Sequence, residues 1–290
     1  MAKNKAQIVY SPKQKAVRFA IWVFLVIMTI LVIFPVIYII LGSFKENQEL
    51  LIGGSNIFPK QWITQNYVDA WNQANFAVYT KNSLFLSFGV MVVSLVVSSM
   101  AGYVFSRKSF PGKEVIYGIF TAFMFINVGS VSLRPLYELA TNLKINTSLW
   151  PVILFSAGGG QATYIFLCRG YVNGVPKELD EAAKIDGCTF FQTYYKVIIP
   201  MLKPVLATVA ILSFRQGWNE YILPRVFTMT NDSLRPLTVG VNMLKNAGDG
   251  AAAWNIMFAG ATIAIVPILI VFICFSRYFM GGLTDGAVKG

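Results

Sequence analysis

The chain has 290 residues, 56% hydrophobic and only 13% charged, about half the charge of a typical soluble domain. It carries 24 Lys and Arg against 13 Asp and Glu, three Cys and no His, for a net charge of +11. This excludes an ordinary soluble domain, a disulfide framework and a histidine-bearing zinc site. The basic residues fall between and beside long apolar runs, which turns the charge away from nucleic acid and toward a polytopic membrane protein with basic cytoplasmic loops.

Residues 1–16 are polar and basic, with Lys3, Lys5, Lys13 and Lys15. The run at 17–42 exceeds a signal-peptide core and is followed by no small-residue cleavage site at the usual distance, so it is read as a retained first span with Trp22 at its inner interface. Residues 43–80, with Pro59, Trp62 and Trp71, are expected to form a loop with short helices on the outer face. A second span at 83–106 is followed by a Pro111-Gly112-Lys113 turn. A third is expected at 115–133, where Asn127 needs a packed or wet environment and Gly129 permits a close helix contact. Trp150 opens the fourth, at 149–170, with Gly158-Gly159-Gly160 allowing close packing or a distorted helix. That triplet lacks the lysine and flanks of a phosphate loop.

Between the fourth and fifth spans lies a polar stretch, Pro176 to Gly187. Pro176 suits a first helical turn. Glu178, Asp180 and Glu181 crowd the favourable end for negative charge, Asp180 and Lys184 are spaced to pair, and Leu179, Ala182 and Ala183 share a face. Gly187 permits a left-handed stop. Thr189 and Gln192 have the pattern of a capping box that starts a second helix. This stretch is either an ordinary amphipathic loop helix or a docking knob for another protein.

The fifth span is expected at 197–223, with Pro200 and Pro204 re-aiming its first turns. Its outer half carries Arg215, Gln216, Asn219 and Glu220. Residues 224–252 read as an external loop with short helical pieces, and a sixth span follows at 255–278, where Pro267 is placed to kink it. With the N-terminus inside, the inner segments hold about fifteen Lys and Arg and the outer ones about eight, which puts both termini in the cytoplasm. The expected organisation is therefore a tail (1–16), a first span with an external loop (17–82), a five-helix core with a cytoplasmic loop near 171–200 (83–278), and a second tail (279–290).

No pair of carboxylates shares a face with a base or metal ligand, and Glu220 and Asp186 fall on opposite sides of the membrane, so no catalytic constellation is expected. Arg215 and Asn219 share a helix face that Glu220 flanks. Such groups are expensive in lipid and belong against other helices or a wet cavity. They are either an ion-pair network that holds the bundle together or the lining of a route for a polar solute. Trp218 either presents a ring to a sugar or anchors the outer interface.

The sequence Glu181-Ala182-Ala183, then Asp186-Gly187, then Ile199-Pro200 and Lys203-Pro204, resembles the EAA loop of bacterial ABC importer permeases. Asn82-Ser83-Leu84, Ala101-Gly102-Tyr103, Phe110-Pro111-Gly112, Trp218-Asn219-Glu220 and the terminal Gly286-Ala287-Val288-Lys289-Gly290 resemble the carbohydrate-uptake branch, on the side of the smaller maltose-type permease. The resemblance covers nearly the whole chain. It implies an all-α type I permease fold of about six transmembrane helices in the bacterial inner membrane. It also implies a second homologous permease, two ATP-binding cassette subunits or domains, and an extracytoplasmic solute-binding protein. ATP and Mg would sit on the partner ATPase, with no cofactor or metal on this chain. The resemblance assigns ATPase coupling to Glu181, Ala182, Ala183, Asp186 and Gly187, and a loop-to-helix structural role to Pro200 and Pro204. Arg215, Trp218, Asn219, Glu220 and Tyr221 are the candidate translocation pathway. The expected solute is a carbohydrate, an oligosaccharide foremost, with a charged glycan or a glycerol-phosphate-type solute as the alternative and a non-transporting scaffold as a reading of another class. Lys144-Ile145-Asn146 departs from the family's glycine-containing turn before the fourth span.

Overall fold

The computed structural model describes residues 11–52, 56–126, 129–246 and 252–287, with side chains through Cys274 except at Ser130. It is helical throughout: α1 Pro12–Gly42, α2 Asn47–Leu51, α3 Gln65–Gln73, α4 Phe76–Arg107, α5 Lys113–Phe123, α6 Leu133–Asn142, α7 Trp150–Asn173, α8 Glu178–Ile185, α9 Phe190–Thr193, α10 Ile199–Met201, α11 Lys203–Asn219, α12 Ile222–Phe227, α13 Leu237–Met243 and α14 Trp254–Ala287. Among the described residues, α1, α4, α7 and the Trp254–Cys274 part of α14 are each long and apolar enough to cross a membrane. A fifth crossing is built from two pieces, Phe190–Met201 and Lys203–Asn219, which meet at 81°.

Among the described residues, the third expected span opens on a shorter helix. α5 has 11 residues, roughly 16 Å at 1.5 Å per residue against a hydrocarbon core of about 30 Å. It ends in a turn at Met124 and Phe125, whose N–H groups bond Thr121 and Ala122. Asn127 lies outside the described residues. Gly129 takes a left-handed backbone position, φ +57°, at the start of a 3-10 turn. α14 also continues as helix past 278 and runs unbroken through Pro267.

α4 is the centre of the bundle, with α7 and α11 packed on it and α14 packed on α11. Its buried stripe, Ser83, Ser87, Val90, Ser94, Ser98 and Gly102, recurs at helical spacing and consists mainly of small residues, which lets neighbouring backbones approach. A Cβ on Gly102 would lie 2.6 Å from Cys168 Cβ and 2.9 Å from the Arg169 nitrogen, and one on Gly217 would lie 2.8 Å from Ser87 Cα. Asn82 donates to the carbonyls of Ser233 (2.7 Å) and Arg235 (3.0 Å), and Ser83 Oγ accepts the Leu237 N–H at 2.7 Å. The Asn-Ser pair thus ties the 231–237 segment to the start of α4.

The glycine triplet leaves α7 unbroken from Trp150 to Asn173. In the turn after α6, Lys144 itself adopts the left-handed conformation, φ +57°. The Ile145 N–H bonds the Ala140 carbonyl and the Lys144 N–H that of Thr141, so the helix stop is made without glycine.

Candidate functional site: a docking helix and a polar cavity

α8 is held to the bundle from one side. Its acidic first turn, Glu178, Asp180 and Glu181, suits a helix N-terminus. Asp180 pairs not with Lys184 but with the end of α4: Arg107 Nε donates to Oδ2 at 2.8 Å and the Tyr103 hydroxyl to Oδ1 at 3.0 Å. A second Arg107 nitrogen donates to the Val175 carbonyl at 2.7 Å. Tyr103 also stacks on Phe190, with centroids 4.6 Å apart. The helix stops at Gly187, φ +79°, with Cys188 N–H bonded to Ala183 O and Gly187 N–H to Lys184 O, the two bonds of a Schellman motif. Thr189 and Gln192 then form a reciprocal capping box.

The face expected of Leu179, Ala182 and Ala183 divides. Leu179 packs against the core cluster and Ala183 is 5% exposed, while Ala182 points outward with Glu178, Glu181 and Asp186. Ala183 is therefore packed within this chain. Ile185, not singled out from sequence, is 87% exposed and completes the outward ridge, with Phe191 exposed beside it. Nothing in the sequence separates this exposed Ile185 from a core isoleucine.

After the capping box the backbone passes through a π-helical turn, Tyr194–Ile198, and breaks at Leu202. The Leu202 N–H is shared between Ile198 O (3.0 Å) and Ile199 O (3.1 Å). Pro200 and Pro204 stand in the first turns of α10 and α11, where their missing N–H groups cost least.

The far end of α11 opens on a cavity of about 680 Å³ lined by Gly160, Thr163, Tyr164, Leu212, Arg215, Gln216, Asn219, Glu220, Tyr221 and Ile222. Leu212, Arg215, Gln216 and Asn219 follow one helix face at i, i+3, i+4 and i+7. Arg215 and Asn219 are exposed. Gln216 is fixed: Tyr164 Oη donates to its Oε1 at 2.8 Å, and its Nε2 donates to the Ser156 carbonyl. A Cβ on Gly160 would collide with Gln216 Oε1 and the Tyr164 ring, so one glycine of the triplet makes room for this polar pair.

Of the five pathway residues expected, four line the cavity and Trp218 does not. Its ring is 4% exposed and stacks on Phe214, with centroids 6.1 Å apart. It sits in the cluster with Phe76, Tyr79 and Leu237, so it neither faces a solute nor anchors an interface. No ion pair links Arg215 and Glu220 among the described residues. Glu220 Oε1 instead takes a long bond, 3.5 Å, from the Leu223 N–H at the start of α12. Tyr221 Oη donates to Asn242 Oδ1 at 2.8 Å. Thr163, Tyr164, Gln216 and Ile222 were not expected from sequence. Gln216 was visible as a polar residue in an apolar span, whereas Thr163 and Tyr164 lie on another helix and carry no such mark. No three metal-ligating side chains cluster among the described residues.

Residues 94–283 match the family described as binding-protein-dependent transport system inner membrane component. The probable ABC transporter permease protein YurM of Bacillus subtilis is 31% identical, covering 93% of this chain and 88% of its own. The arabinooligosaccharides transport system permease protein AraQ of Halalkalibacterium halodurans is 34% identical over 89% of this chain and 91% of its own. Among solved structures, a bacterial ABC transporter involved in the import of the acidic polysaccharide alginate aligns with TM-score 0.78, covering 93% of this chain and 99% of that one at 22% identity, a likeness of fold. The chain belongs to the binding-protein-dependent transport system inner membrane components, and it has the all-helical fold of a type I ABC importer permease.

Proposed function

We propose that this chain is the permease subunit of an ATP-driven importer that moves a carbohydrate, an oligosaccharide foremost, by alternating access. The observation that carries the reading is the pairing of two features on one helix path. A polar cavity lies at one end of α11, and from its other end the chain leads back through the bent Phe190–Met201 piece to a pinned, outward-facing helix. The cavity volume falls in the range of small-molecule sites, and its amides, hydroxyls and guanidinium suit sugar hydroxyls. AraQ is named for arabinooligosaccharides, and a relative in Streptomyces coelicolor for diacetylchitobiose. Both names support the solute class.

In this reading a second homologous permease closes the open side of the cavity, where Arg215 and Asn219 are exposed in the single chain. Two ATP-binding cassette subunits or domains hold ATP and Mg, and one receives the ridge of Glu181, Ala182, Ile185 and Asp186, with Gly187 setting the exit. Pro200 and Pro204 shape the passage from loop to span. An extracytoplasmic binding protein delivers the solute. Both termini lie in the cytoplasm of a bacterium, and the core runs over 83–278 between a first span and a short tail. The test is reconstitution of the full importer in proteoliposomes with ATP-dependent uptake of labelled oligosaccharides, beside calorimetry of the binding protein. Tight binding of an amino acid or metal alone, with no sugar uptake, refutes the solute class.

A further inference from the structure

Arg107, Arg134, Arg169 and Arg235 each lie within salt-bridge distance of a carboxylate, and Arg225 lies over the Tyr221 ring. Arg215 has neither kind of partner among the described residues. It nevertheless stands on a helix of the bundle, one turn in from Asn219, on the wall of the cavity. Exposed to that cavity, an ionisable side chain on a spanning helix faces a wet path and marks an ion or substrate route. The cavity's one carboxylate does not relieve it. Glu220 is the C-cap of α11, with extended backbone, five residues on, and its Oε1 turns to the Leu223 N–H. Tyr164 Oη is spent on Gln216. The guanidinium therefore keeps its planar fork of donors free, a geometry that matches the paired oxygens of a carboxylate or phosphate.

We infer that the transported carbohydrate carries an anionic group, a carboxylate or a phosphate, which Arg215 receives in the cavity. This rests on the carbohydrate-importer reading above and deepens it. Asn219, on the same face, supplies an amide for a neighbouring hydroxyl, and the tethered Gln216 gives the wall a fixed shape.

The test uses the complete importer in proteoliposomes, with three probes: a uronate-containing oligosaccharide, its carboxyl-reduced neutral counterpart, and a phosphorylated oligosaccharide of matched length. Wild type is expected to take up one of the anionic probes in preference to the neutral one, and which of the two it prefers distinguishes carboxylate from phosphate. In Arg215→Gln that preference is expected to fall by about tenfold or more, the scale of a lost charge-assisted hydrogen bond, with partial recovery in Arg215→Lys, which keeps the charge and loses the fork. An unchanged preference in Arg215→Gln overturns the inference, as does wild-type uptake of the neutral probe alone. Loss of the second permease on purification of Arg215→Gln also overturns it, because it assigns the guanidinium to a subunit contact. Uptake of no sugar, neutral or anionic, while a non-carbohydrate solute is transported refutes the underlying reading instead.

Discussion

Replacing Asp180 by alanine should release α8 from the bundle without disturbing the spans. The carboxylate accepts from Arg107 at 2.8 Å and from Tyr103 at 3.0 Å. Its removal strands a guanidinium whose side chain is only 7% exposed, while Asp180 itself is 20% exposed. Breaking a buried pair costs about 3–5 kcal/mol. Water reaches this pair from the Asp180 side and Arg107 keeps the Val175 carbonyl, so about 2–3 kcal/mol is expected here. At 1.4 kcal/mol per tenfold, the undocked fraction of α8 rises roughly thirty- to hundredfold. Hydrogen exchange of the importer in lipid nanodiscs, followed over residues 180–188, should show a matching loss of protection while α4 and α7 are unaffected. Asp180→Asn, which keeps the shape, should fall between. Exchange in Asp180→Ala within about threefold of wild type would refute the reasoning, because the anchor would then contribute less than about 1 kcal/mol.

The division of the two alanines gives a second expectation. Ala182→Glu should leave thermal stability unchanged and abolish co-purification of the ATPase, whereas Ala183→Glu should disrupt α8 itself, read as the same exchange increase that Asp180→Ala produces. Lys144→Gly removes a left-handed side chain and should stabilise the permease by about 1 kcal/mol, seen as a rise of about 2–4 °C in melting temperature. Gly102→Ala should cost about 1–3 kcal/mol through overpacking against Cys168 and the Arg169 backbone, measured as a lower melting temperature with α8 exchange as a control.

Much of this molecule is local and so was open to reading from the chain. The capping box at Thr189, the left-handed stop at Gly187 and the long apolar helices each depend on a few neighbouring residues, and they stand where the residues put them. At the third span, hydropathy reports composition over a window, while the turn after Phe123 is a backbone event that no window shows. The i,i+4 spacing pointed Asp180 to Lys184. The partner it takes, Arg107, is 73 residues away, and only the packing of α4 on α7 brings it near. Trp218 shows the same limit in reverse: an aromatic beside polar residues can face either way, and Phe214 one turn earlier decided it. The cavity was legible on α11, where polar residues stand out, and illegible on α7, where Thr163 and Tyr164 look like any others.

The break at Leu202 fixes a ratio as well as a direction. Leu202 and Ile198 are fully buried in the cluster with Tyr103, Val172 and Val175, so the corner is seated and both arms extend from it. One arm, Phe190–Met201, is roughly 18 Å long and the other, Lys203–Asn219, roughly 25 Å, at 1.5 Å per residue, set at 81°. A corner of those proportions, turned as one body about Leu202, would carry any displacement of its short arm into a sideways displacement of the long one. In such a rotation each 1 Å at the α9 end would become about 1.4 Å at Asn219, by the ratio of arms given by the rise per residue. The π-helical turn lies wholly within the short arm, so that is where compliance would waste stroke. Tyr194 within it is held by a 2.7 Å hydroxyl bond to Ser99, which ties the short arm to the central helix.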